Sequence, residues 1–176
     1  MSSEAPKRHL KFVPRDSQSE EWTEKYSSLV KCLNSGEPLM YALIGRRGTG
    51  KTQMASSVIQ RACEGGISSL YCKAMDFFIN LKATYGNQDA TEQAVFSKHK
   101  IPNLLVIDEI QVRSESEWEN NALTHLIDKR YDAMKSTIFI GNLKPNSLKD
   151  CVGESVYSRL TEIGGVMDCN WESLRK

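Results

Sequence analysis

The sequence predicts a three-layer α/β domain, a parallel sheet covered by helices on both faces. Three observations lead there. Short, fully apolar runs alternate with segments of helical spacing, the pattern of strands buried on both sides. The first such run, residues 39–44, leads directly into Gly45-Arg46-Arg47-Gly48-Thr49-Gly50-Lys51-Thr52, a match to G-x-x-x-x-G-K-[ST]. A later run, Leu104-Leu105-Val106-Ile107, ends in Asp108-Glu109.

Taken in order, residues 1–20 are polar, with Lys7, Arg8, Lys11 and Arg15 among Ser, Glu and Pro, and read as a surface arm ahead of a domain over 21–176. Helical spacing over 22–33 closes at Asn34-Ser35-Gly36. The first strand and glycine loop follow. Met54, Val58, Ile59 and Ala62 then mark one face of a helix that ends at Gly65-Gly66. Residues 67–72 read as a second strand, and Asp76 as the cap of a helix with Phe78, Leu81 and Tyr85 on one face, stopping at Gly86. A polar helix over 89–98 precedes the third strand. Ser114 and Ser116 each have Glu three residues on, so either can open the helix bearing Leu123, Leu126 and Ile127. Residues 137–140 form a fourth strand, 152–160 a last helix, and 166–169 a final strand.

Strand, glycine loop, helix is the setting in which this motif cradles phosphate. Glycines let backbone N–H groups close around a β-phosphate, and the helix that follows directs its positive end at the same anion. Gly45, Gly48, Thr49 and Gly50 would line the cradle, Lys51 would reach the β/γ-phosphates, and the Thr52 hydroxyl would hold Mg²⁺. Asp108, delivered by a rigid buried strand, would complete the Mg²⁺ shell. Glu109 points to another side of that strand and could polarise an attacking water; its alternative is a strand exit into solvent. Asn142, after the fourth strand, could bond the γ-phosphate or equally well be a turn residue of Gly141-Asn142.

The charge balance, 23 basic against 22 acidic residues, excludes a strong overall positive field, so nucleic-acid contact would need a local patch or several subunits. No apolar run reaches the length of a membrane span, and the first residues lack the apolar core of a signal peptide. Five scattered cysteines without a C-x-x-C pair argue against a disulfide framework or a zinc site, and for reduced thiols in the cytoplasm.

With Gly45 to Thr52, Leu104 to Glu109, Thr137 to Asn142 and Gly153-Glu154-Ser155-Val156-Tyr157-Ser158-Arg159-Leu160, the chain resembles AAA+ ATPases. Within these it looks most like DnaC-type helicase loaders and the IstB-like transposition helpers. Tyr71 to Tyr85, with its Asp76-Phe77-Phe78 helix, Asp128-Lys129-Arg130-Tyr131 and Trp171-Glu172-Ser173-Leu174-Arg175 carry the same likeness. The resemblance implies a P-loop NTPase fold with a five-stranded parallel sheet, strand order 5-1-4-3-2, and little or no C-terminal helical lid. It implies ATP and Mg²⁺ as ligands and Asn142 as a γ-phosphate sensor. Arg159 would be a finger acting on the neighbouring subunit's ATP, its alternative being a salt bridge to Glu154 or Glu162. Arg130 and Arg175 match family arginines without a distinguishable role. The implied partners are further copies of the chain, joined through the ATP sites, with single-stranded DNA and a replicative helicase or a transposase. Lys73, Lys82, Lys98 and Lys100 lie in the region that tracks single strands in this clade, where Phe77 or Tyr85 could stack on bases if exposed. Arg46 and Arg47 face a neighbouring subunit or solvent. The N-terminal partner-gripping domain usual in the clade has only the arm and the 22–33 helix in its place.

The resulting reading is an ATP-dependent helicase-loader type of protein that assembles through ATP and hydrolyses it to release. A transposition helper, or an adaptor switched by nucleotide, are its rivals. A small-molecule kinase would need an acceptor pocket and an arginine-bearing lid, and no segment reads as either.

Overall fold

Strand β1, Met40–Ile44, runs through the interior of a five-stranded sheet in which every neighbouring pair is parallel. The other strands are β2 (Ser69–Lys73), β3 (Leu104–Asp108), β4 (Ser136–Gly141) and β5 (Gly164–Asp168), in the order β2-β3-β4-β1-β5. That is the expected order read from the other edge. The computed structural model describes residues 5–7, 19–85 and 91–173. Most of the expected arm, the Gly86 helix stop, Asp89, Leu174 and Arg175 lie outside them.

Successive strand residues face opposite sides, and the sheet separates two cores accordingly. Met40, Ala42, Ile44, Leu105, Ile107 and Phe139 face one core; Leu39, Leu43, Leu104, Val106, Ile138 and Ile140 face the other. Helices α1 (Glu20–Ser35) and α2 (Lys51–Glu64) cover the second face. Helix α1 starts at Ser19, whose hydroxyl accepts from the Trp22 N–H, and buries Trp22, Leu29 and Leu33. The first face is covered by α3 (Ala74–Lys82), α4 (Glu92–Lys100), α5 (Glu117–Asp132), α6 (Leu148–Val152) and α7 (Glu154–Ile163). No helix among the described residues is long and apolar enough to cross a membrane, and all five cysteines are free thiols.

Local chemistry departs from expectation at Asp76, Tyr85 and Gly153, and decides the open choice between Ser114 and Ser116. Asp76 lies inside the first turn of α3 and does not cap it; Lys73 holds the cap position without a side-chain bond. Tyr85 falls in the turn beyond that helix. Ser116, rather than Ser114, caps α5 by accepting from the Glu119 N–H, while the Glu119 carboxylate reaches back to the Glu115 N–H at 3.0 Å. The single helix expected over 152–160 is two helices, because Gly153 at φ +86°, ψ 157° breaks the ladder in a conformation unfavourable to a residue with a Cβ.

Arg130 belongs to the packing. It is fully buried, and its guanidinium donates to the carbonyls of His99 (2.9 Å), Pro102 (2.8 Å), Lys100 and Ser136, and to Thr137 Oγ1 (3.0 Å). It thereby closes the C-terminal end of α4, where orphan carbonyls and the negative end of the helix dipole favour a cation. Burial lowers its pKa to about 10, which leaves it charged at neutral pH. Arg130→Met should therefore strand these carbonyls, cost about 3 kcal/mol and lower Tm by roughly 6–12 °C. Differential scanning fluorimetry checks this, with nucleotide affinity of the folded fraction expected to stay within about twofold.

Candidate nucleotide-binding site

The carboxyl ends of β1, β3 and β4 converge on one edge of the sheet, where open α/β sheets place their ligands. The chain leaves β1 at Ile44 and turns through Gly45 (φ 137°), Gly48 (φ 89°) and Gly50 (φ 83°) before α2 begins at Lys51. Gly50 occupies the cap position with no side-chain cap bond, so the first-turn N–H groups of α2 face the loop's concavity. Lys51 is buried; its Nζ donates to the carbonyls of Gly45 (3.0 Å) and Arg46 and to Thr49 Oγ1 (3.3 Å). Arg46 and Arg47 are exposed.

Asp108, also buried, ties three elements together. Its Oδ2 accepts from the Thr52 hydroxyl at 2.9 Å and from the Tyr71 phenol at 2.6 Å, and its Oδ1 accepts from the Glu109 N–H at 2.7 Å. A buried carboxylate beside a hydroxyl at the mouth of the glycine loop is an all-oxygen donor set, suited to a hard cation that also takes phosphate oxygens. Among the described residues no group of three or more His, Cys, Asp and Glu side chains is placed to hold a metal. Burial first, then the charge and hydrogen bond of Asp108, raise the Tyr71 pKa, so the phenol remains a donor at physiological pH.

Glu109 stands at φ 56°, the left-handed region, just past the end of β3. Its Oε2 meets Lys73 Nζ at 2.9 Å, with both side chains nearly half exposed, so the pair directs Glu109 more than it stabilises the fold. The hydrogen bond to Glu109 is the main cause of the raised Lys73 pKa. Asn142 follows Gly141, which pairs with Ile44, and so stands beside the loop; it is exposed, and its N–H donates to Gln111 Oε1 at 3.1 Å.

Arg159 is directed elsewhere. Its guanidinium meets Asp128 at 3.1 Å, donates to the Ser155 carbonyl at 3.0 Å and lies 5.4 Å from the Tyr131 ring centre. The partner is neither of the two glutamates expected: Glu154 is engaged by Lys149 at 2.8 Å. Phe77, 2% exposed, is a core residue packed against Phe78, Phe96 and His99, which removes it as a base-stacking candidate. Tyr85 is 60% exposed; its hydroxyl accepts from Trp118 Nε1 at 3.0 Å, and Lys82 Nζ lies 5.2 Å over the Trp118 ring.

Sequence reasoning missed Tyr71 and Gln111. Tyr71 had a readable signal, a hydroxyl-bearing ring two residues before the end of an apolar strand. The register sets Lys73 opposite Asp108 and so brings Tyr71 alongside. Gln111 had none.

Residues 27–176 match the family described as IstB-like ATP binding protein. The replicative helicase loader DnaC of Buchnera aphidicola subsp. Baizongia pistaciae (strain Bp) is 33% identical over 135 residues, 75% of this chain and 54% of that protein. The replicative helicase loader DnaC of Escherichia coli (strain K12) is 28% identical over 142 residues, 80% of this chain and 58% of that one. The chain thus spans little more than half the length of the curated relatives it matches. Among solved structures, a crystal structure of the DnaC helicase loader aligns with TM-score 0.76 and 20% identity over 93% of this chain and 99% of that one. AMPPCP-bound DnaA from Aquifex aeolicus aligns with TM-score 0.78 and 22% identity over 94% of this chain and 51% of that one. At these identities the structural likeness concerns the fold.

Tyr71→Phe removes a donor that holds the Asp108 carboxylate in place. Titration of Mg²⁺ in the presence of ATP should show metal affinity weakened on the order of tenfold, with metal-free nucleotide affinity unchanged.

Proposed function

The chain belongs to the IstB-like ATP-binding protein family, and from that premise we propose that it is a helicase-loader type of ATPase. It would assemble through ATP on single-stranded DNA, on a replicative helicase or on both, and release on hydrolysis. The observation that carries the catalytic part is the 2.9 Å hydrogen bond between Thr52 and Asp108, with Glu109 as the next residue.

ATP would lie in the loop, its phosphates met by the N–H groups around Gly45, Gly48, Thr49 and Gly50. The Lys51 ammonium would exchange its carbonyl partners for the β/γ-phosphates. Thr52 and Asp108 would hold Mg²⁺, which when bound neutralises phosphate charge and polarises the terminal phosphoryl group. Glu109, with Lys73 on one carboxylate oxygen, retains the other to accept a proton from water. Asn142, at the end of β4 beside the loop, would orient that water or the γ-phosphate by hydrogen bonding. Arg159 would act on the ATP of a neighbouring copy after exchanging Asp128 for phosphate, a change between anionic partners that suits a guanidinium.

The partner assignment draws on the relatives named replicative helicase loader. The family description favours a second reading, a transposition helper with the same chemistry. Whether a replicative helicase or a transposase co-purifies with the chain separates the two.

Two outcomes test the ATPase. In Glu109→Gln, hydrolysis should fall at least about 10²-fold while ATP affinity measured by calorimetry stays within about threefold; unchanged turnover would remove the base assignment. Arg159→Ala should lose turnover on the order of 10³-fold. Mixing it with Lys51→Ala subunits should restore part of the phosphate release, because the intact loop of one variant then meets the intact arginine of the other. Absence of any recovery would refute action between subunits.

A further inference from the structure

The outer side of the glycine loop is covered by a segment to which the proposed chemistry assigns no role. After β5 the chain continues as Cys169-Asn170-Trp171-Glu172-Ser173 and crosses the loop. The Cys169 N–H donates to the Ile44 carbonyl at 2.6 Å, and Trp171 Nε1 donates to the Thr49 carbonyl at 2.8 Å. The fit is tight: a Cβ on Gly45 would lie 2.5 Å from the Cys169 carbonyl oxygen, and one on Gly48 would strike Ser173 Oγ. From the other direction Trp22, buried at the start of α1, donates its Nε1 to the Gly50 carbonyl at 3.3 Å.

These two indoles do different things. The Gly50 carbonyl already accepts the Met54 N–H at 2.8 Å as the first bond of α2, so Trp22 adds to an oriented group. The Thr49 carbonyl lies ahead of that ladder, where backbone orientation is least determined by the helix. The peptide joining Thr49 to Gly50 is trans, so its carbonyl and the Gly50 N–H point in opposite directions. Drawing the carbonyl outward to the indole therefore turns the Gly50 N–H inward, to where a β-phosphate sits in such a loop.

We propose that Trp171 is a positioning residue for nucleotide: its indole N–H holds the 49–50 peptide in the orientation that presents the Gly50 N–H to phosphate. This rests on the reading of the loop as the ATP site. The role belongs to the N–H and not to the ring. Lys25 Nζ lies 5.9 Å over that ring, so the tail is anchored to α1 as well as to the loop.

Calorimetric titration of the full chain with ATP and with ADP tests this, using Trp171→Phe, which deletes the N–H but keeps an aromatic ring, and Trp171→Ala, which deletes both. Both variants should bind both nucleotides about 3–10-fold more weakly, the effect of one net hydrogen bond. In Trp171→Phe the Gly50 amide resonance in the ¹H–¹⁵N spectrum should already be displaced before nucleotide is added. His125→Gln, on α5 against Phe96 and given no part in nucleotide binding, should leave affinity and that resonance unchanged. Wild-type affinity and an undisplaced Gly50 resonance in Trp171→Phe would overturn the proposal. A loss confined to Trp171→Ala would also overturn it, assigning the ring a stacking or packing role. If the unmodified chain bound neither nucleotide, the ATP reading itself would fall, a result distinct from these.

Discussion

The Asp108 carboxylate is the constraint on which the proposed site depends. One buried side chain takes hydrogen bonds from the first turn of α2, from β2 and from the backbone of the residue that follows β3. A carboxylate removed from water is costly unless its oxygens are satisfied, so this arrangement exists only when the loop, the sheet register and the strand end are all correct together. The order β2-β3-β4-β1-β5 separates β3 from β1 by one strand, and Thr52 spans that distance because α2 starts immediately after the loop. Under the proposed function, the bonds that complete the fold would also hold in place the carboxylate that takes the metal.

Much of this was legible in sequence because local and global signals agree. Fully apolar strands alternating with amphipathic helices point to a parallel sheet buried on both faces, a glycine loop between strand and helix is a known phosphate cradle, and a strand that ends in two acids is conspicuous. What was illegible depends on contacts between distant segments. Arg130 and Arg159 are both arginines on helices, and only packing shows that one closes α4 from the interior while the other makes a partly buried pair with Asp128. Phe77 and Phe78 are adjacent, and helical spacing alone put only Phe78 inside; α4 buries Phe77 too. Gly153 was read as part of a motif, whereas its backbone angles end one helix and begin another. The tail's grip on the loop leaves no periodic trace, since isolated contacts of Cys169, Trp171 and Ser173 carry it.

Membership in an ATP-binding family and a fold shared with solved DnaC and DnaA structures bear on the nucleotide-binding core, while the chain's span of little more than half its named relatives bears on everything outside it. Exposed Tyr85, with Lys82 and Trp118 around it, keeps an aromatic and a cation at the surface near the start of α5, compatible with contact to a single strand. Net charge is close to zero, so any such contact would rely on this local patch repeated by assembly rather than on the field of one chain. Arg159 forms a partly buried ion pair with Asp128, which the proposed action on a neighbouring copy would have to exchange for phosphate.

The most direct test of the central claim is ATP binding measured by calorimetry with and without Mg²⁺, on the unmodified chain and on Asp108→Ala. The account predicts that Mg²⁺ tightens ATP binding to the unmodified chain and loses that effect in the variant, while metal-free binding persists in both. An equal Mg²⁺ enhancement in the two proteins would contradict it, because the carboxylate joining α2, β2 and β3 would then have no part in holding the metal.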